Sequence, residues 1–116
     1  MKPIVKVWPL PKLSEAKLKV LALTIVEACK AFPNLKVQGE DDVLIQFPQD
    51  MMRYGAGTEL VVEILFVSNV PTTVDAFRDF DTPAVEIAFQ IYKHVTGLGF
   101  TPKTRVVWSL VRSRNL

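Results

Sequence analysis

The segment ELVVEILFVS (residues 59–68) restricts the possible folds more than any other part of the chain. Its β-branched and aromatic content reads as a strand. Side chains alternate between the two faces of a sheet, so Leu60, Val62, Ile64 and Phe66 share one face, and Val61, Glu63, Leu65 and Val67 share the other. The first set is wholly apolar, and the second is apolar apart from one glutamate. RVVWSLV (105–111) repeats the pattern, with Val106, Trp108 and Leu110 opposing Val107, Ser109 and Val111. A sheet built from such strands needs cover on both sides.

The remaining elements supply cover for one side. Ile4–Trp8 reads as a short strand bounded by Pro3 and Pro9, and VLIQF (43–47) as another. Ser14 caps a helix with apolar residues at Leu18, Leu21, Ala22, Ile25, Cys29 and Phe32, the spacing of one helical face. Glu15 and Lys30 suit its dipole, and Pro33-Asn34 ends it. NLKVQGEDD is a polar connection, and PQDMMRYGAGT reads as a loop with one helical turn. A second helical region starts at Thr72 or Thr73 and runs to about Val95, stopped by Gly97. Because proline suits a first helical turn and not an interior, a break is expected at Thr82-Pro83, leaving PAVEIAFQIYKHV as the better helix.

The order β-α-β, β-α-β gives an α+β fold: one domain over residues 1–116, a four-stranded sheet and two helices on one face. The second face then lies bare, and a bare apolar face marks an interaction surface. Burying about 400 Å² of it per copy is worth about 10 kcal/mol before association costs. A homo-oligomer that packs its sheets together is therefore expected. Lys6, Gln46, Glu63 and Ser109 would be the sparse polar residues of that inner face, able to pair with one another; alternatively, Glu63 simply reaches water at a sheet end.

Composition narrows the partners. The 116 residues carry 14 basic and 12 acidic side chains, a net charge of +2, with no basic stripe for a nucleic acid or an anionic membrane. The basic residues of RVVWSLVRSRNL read as a soluble tail or a minor anion contact. Cys29 is the single cysteine, placed as a buried small hydrophobe, and a reducing, cytoplasmic setting is expected. The apolar runs are too short for a membrane helix or a signal peptide. His94 sits near a helix end with no companion ligand pattern, and neither a metal nor a cofactor is expected.

With its elements in place, the chain resembles the tautomerase superfamily, which includes 4-oxalocrotonate tautomerase, 5-carboxymethyl-2-hydroxymuconate isomerase and macrophage migration inhibitory factor. The likeness runs from Pro3 to about Val111. It rests on the proline-led strand PIVKVW, the doubled β-α-β order, and FPQDMMRYGAG before a long third strand. Ferredoxin-like domains share the element order, so a ferredoxin-like non-catalytic binding domain is the alternative. The resemblance implies a trimer whose sheets line a central barrel and whose clefts between subunits take a small keto or enol acid.

The resemblance also implies site residues. Pro3 matches the family's general base, a secondary amine of lowered pKa beside a cation that stabilises enolate charge. Lys36 matches a basic residue before the second strand, Tyr54 a pocket aromatic beside the possible anion contact Arg53, and Ser109 a polar contact from a neighbouring subunit. Each also has a plain structural reading: Lys36 and Arg53 as solvated surface cations, Tyr54 as boundary packing, Ser109 as a hydroxyl satisfied within its sheet. The arginine that follows the first strand in 4-oxalocrotonate tautomerase has no counterpart in PLPKL.

Pro3, however, follows Met1 and Lys2. Initiator methionine is trimmed before small residues, and lysine is not small. An acylated Pro3 nitrogen is a tertiary amide with no proton and no usable lone pair. Three readings follow. A scaffold that has lost the free amine binds a ligand or partner at intersubunit clefts; a processed chain is a keto-enol tautomerase with Pro3 as base; or another group such as the Met1 amine does weaker acid-base work.

Overall fold

A computed structural model describes residues 2–48, 59–68 and 74–112. The elements run β1 (Lys2–Trp8), α1 (Glu15–Lys30), β2 (Leu44–Gln46), β3 (Glu59–Ser68), α2 (Val74–Gly97) and β4 (Lys103–Arg112). Two short 3-10 turns, Pro33–Leu35 and Glu40–Asp42, lie between α1 and β2, where a polar connection is expected. The Asp42 carboxylate pins the second turn by accepting from the Gln38 and Gly39 backbone N–H groups at 2.9 and 3.3 Å.

The sheet order is β2-β1-β3-β4. β1 pairs parallel with β2, β3 pairs parallel with β4, and the two halves meet along the antiparallel β1–β3 ladder. Each half is thus a β-α-β unit with its helix as the crossover. The two parallel pairs separate this sheet from the ferredoxin-like alternative, whose neighbouring strands are antiparallel.

Both helices pack on the same face. Pro3, Val5 and Val7 of β1 and Leu60, Val62, Ile64, Phe66 and Ser68 of β3 are buried there. Leu21, Ile25, Val26 and Cys29 of α1 join them, together with Phe80, Ala84, Ile87, Ile91 and Val95 of α2, in one core. Phe66 is its aromatic centre, with its ring centroid 4.9 Å from that of Phe80 and 6.0 Å from that of Trp108. Burial pushes the Cys29 thiol up to about 12, consistent with an inert core side chain.

α1 begins as its sequence dictates, with Ser14 Oγ accepting from the Lys17 N–H at 3.2 Å. α2 departs from expectation: no break occurs at Thr82-Pro83, and the helix continues through Pro83. Proline removes the N–H that would have bonded the Asp79 carbonyl four residues earlier. That carbonyl instead accepts from Asn34 Nδ2 at 3.4 Å, a donor carried by the turn after α1. Two residues further on, Trp108 Nε1 donates to Asp81 Oδ1 at 3.0 Å and ties α2 to β4. Tertiary partners thus take over where the helix's own ladder lapses.

Candidate functional site

Alternation sends the other half of each strand to the face away from the helices. There Ile4, Lys6 and Glu63 are half-buried, whereas Trp8, Leu44, Val107 and Val111 are exposed. This is the bare apolar face anticipated from the strand pattern. At its centre lies a shallow groove of about 360 Å³, lined by Ile4, Lys6, Leu44, Gln46, Glu63 and Ser109. All four of the polar residues expected on this face therefore line one concavity.

The pairing among them differs from the expectation. Lys6 stands directly opposite Glu63 across the β1–β3 ladder and beside Gln46 across β1–β2. The Glu63 carboxylate nevertheless takes its hydrogen bond from the indole Nε1 of Trp8, at 2.9 Å. Trp8 is the residue that sequence reasoning passed over. Its alternation in PIVKVW put it on the face of Lys6, but only the strand register brings its ring diagonally over Glu63.

The residues implied by the family likeness lie elsewhere. Pro3 sits at the N-terminal end of β1 on the helix-facing side, level with Phe66 and Leu110. All three are buried, so the ring is set in apolar surroundings. A proline is tolerated in this inner strand because β2 pairs only with Ile4 to Lys6, leaving Pro3 beyond the end of that ladder. Lys2 is itself paired, opposite Val67, so β1 extends one residue before Pro3.

The α1 crossover carries the chain back to the end of the sheet where β1 begins, since β2 runs parallel to β1. Lys36 lies in that returning segment, at the end of the Pro33–Leu35 turn. It is exposed and left-handed, with φ 55°, and its N–H donates to the Pro33 carbonyl at 3.1 Å. Few non-glycine residues adopt that conformation.

Ser109 is level with Leu65 and Ile4, one position out of phase with Pro3. It therefore projects from the opposite face, and a single chain does not bring Pro3 and Ser109 into one pocket. Arg53 and Tyr54 lie outside the described residues. His94 Nδ1 is 3.5 Å from Thr24 Oγ1, between the two helices. Thr24 gives its one proton to the Val20 carbonyl, so toward the imidazole it can only accept. Among the described residues no group of three or more His, Cys, Asp or Glu could hold a metal ion, and no helix is long and apolar enough to cross a membrane.

No protein-family model and no curated protein matches the chain. Solved structures do. Pt0534 inactivated by 2-oxo-3-pentynoate superimposes with a TM-score of 0.58 at 16% identity, over 97% of this chain and 89% of that one. MIF2 of Leishmania major gives 0.58 at 15% identity, over 95% and 89%. The F6 fused 4-OT, an asymmetric trimer, gives 0.56 at 10% identity, over 92% and 86%. The fold of this chain is that of the tautomerase superfamily.

Proposed function

We propose that this chain is a tautomerase-fold scaffold without a working proline base, which assembles as a homotrimer and binds a small keto or enol acid at the clefts between its copies. The observation that carries this reading is that Lys2 precedes Pro3 and pairs within β1: with that residue in place the Pro3 nitrogen is acylated and has no lone pair to accept a proton. The bare apolar face supports assembly, and the F6 fused 4-OT, itself a trimer, supports three as the number of copies. The inactivator of Pt0534 is a 2-oxo acid, which supports that ligand class. In the cleft, Lys36 would meet the ligand carboxylate, and Ser109 of a neighbouring copy would supply a hydroxyl. Arg53 and Tyr54 complete the proposed set.

A second reading follows from the setting of Pro3. Its buried, apolar site beside Phe66 would lower the pKa of a free amine, the condition for a base near neutral pH. If processing frees that nitrogen, the protein becomes a keto-enol tautomerase. The experiment is ketonisation of an enol-form aryl pyruvate by wild type and Pro3→Ala, with the intact mass of the same preparation. The scaffold reading expects Met1-Lys2 to be retained and no turnover that depends on Pro3. Turnover abolished in Pro3→Ala, on a chain whose mass shows Pro3 first, would replace it with the enzyme reading.

A further inference from the structure

The apolar face carries one positive and one negative charge at its middle. In the order β2-β1-β3-β4 the inner strands are β1 and β3, and Lys6 and Glu63 are direct partners across them. Any copy that covers this face must cover both. Around the same groove lie the apolar Ile4, Leu44, Leu65 and Val107, with the uncharged Gln46 and Ser109 as the other polar residues. Covering a charge in such a place is unfavourable unless it gains a partner of opposite sign.

Within one chain the two charges are neighbours but not a pair. Glu63 Oε2 is held by the Trp8 indole. Among the described residues the Lys6 ammonium makes no ion pair and no side-chain hydrogen bond. The indole bond fixes the carboxylate while leaving its charge and its second oxygen unspent. A held anion and an unspent cation, side by side, make a surface complementary to itself.

We propose that Lys6 and Glu63 are the pairing code of the assembly: the Lys6 ammonium of one copy binds the Glu63 carboxylate of the next, with Trp8 holding that carboxylate in place. The occupant of the open face is thus a second copy of this chain, as the proposed trimer requires, and this inference rests on that reading. A cyclic assembly closes the code, because every copy offers one charge of each sign. The pair acts as a specificity device: it sets which copies meet and in what register, while the apolar residues around it supply most of the association.

The test is the oligomeric state, by analytical ultracentrifugation across micromolar concentrations, of wild type, Lys6→Glu, Glu63→Lys and an equimolar mixture of the two variants. Each variant alone places like charges against like, and its association should weaken by about 100-fold or more. The mixture should associate at least about 10-fold more tightly than either variant alone, because a mixed ring of three has opposite charges facing across two of its interfaces and like charges across only the third. A role confined to one chain cannot restore association on mixing. Variants that assemble like wild type, or a mixture that stays apart, would overturn the code and leave the trimer standing. Wild type sedimenting as a single chain would remove both. Far-UV circular dichroism checks the fold of each variant. Should a swap fail to fold, Lys6→Met and Glu63→Gln carry the same test without new charge: each alone weakens assembly, and the double variant restores it. Single and double losses that simply add would count against the pairing.

Discussion

Two tryptophans, one on each face of the sheet, give their indole protons to carboxylates in nearly the same geometry. Trp108 donates to Asp81 at 3.0 Å on the helix side, and Trp8 donates to Glu63 at 2.9 Å on the bare side. The first bond links β4 to α2 over a finished core, with the Trp108 ring against Phe66. The second lies on a surface whose apolar neighbours are still open to water. The same chemistry does different work according to what covers it. On the helix side it closes a contact over the core; on the bare side it holds a carboxylate on an open apolar face.

The largest expected effect breaks this contrast at its apolar base. Phe66 is fully buried between β3, Phe80 and Trp108, so Phe66→Ala should cost about 3–5 kcal/mol of folding stability by urea titration. Val107, 48% exposed on the other face, should behave in the opposite way. Val107→Lys should change folding by about 0.5 kcal/mol or less while abolishing assembly on a sizing column. If Val107→Lys unfolded the chain, or left the assembly intact, the division of labour between the faces would fail.

The sequence made the two faces legible because a strand's alternation depends on nothing beyond the strand. ELVVEILFVS matches β3 residue for residue, and Ser14, Glu15 and Lys30 mark α1 by their own chemistry. What stayed hidden depended on distant partners. α2 runs on through Pro83, and the carbonyl that proline leaves unpaired is met by Asn34, 45 residues away. The Trp8–Glu63 bond spans 55 residues and depends on a register that no local pattern fixes. The candidate site was legible only in part for the same reason. Proline-led β1 and Lys36 could be placed from the order of elements, but the separation of Pro3 and Ser109 onto opposite faces follows from strand pairing.

The two indoles give the next test. Trp108→Phe keeps a ring against Phe66 but removes the donor to Asp81, and should lower folding stability by about 1 kcal/mol. Trp8→Phe should alter folding by about 0.5 kcal/mol or less, because Glu63 can turn to water. It should instead weaken assembly, measured beside the Lys6 and Glu63 variants. Equal folding losses in the two would mean that the bare face is as complete as the helix face.

Cys29 sharpens the comparison from within the core. Its folded pKa of about 12 lies above the ordinary value of 9.0, because burial disfavours the thiolate. The unfolded chain therefore gives up its proton first as pH rises. The stability tied to the neutral thiol is fully present below pH 9.0 and is lost on the way to about 12. At pH 10, wild type should have lost about 1 kcal/mol relative to its own value at pH 8, a loss that Cys29→Val should not share. Matching profiles in the two proteins would place the thiol in contact with water.

The smallest expected effect is at the end of the sheet, where the proposed cleft would open. Lys36 holds a left-handed backbone, φ 55°, that glycine adopts without steric cost. A site chosen for stability alone would carry glycine there, so Lys36→Gly should stabilise the fold by about 0.5–1 kcal/mol, the relief of strain offset in part by the freer unfolded chain. If the ammonium serves the ligand carboxylate, the same substitution should weaken binding of a 2-oxo acid several-fold, and Lys36→Arg should retain the binding without the gain in stability. A lysine that only decorates the turn gives the gain with no loss of binding. Unlike the two sheet faces, where covering and stability go together, this position would then set them against each other: a residue kept in a costly conformation because its side chain is needed where the copies meet.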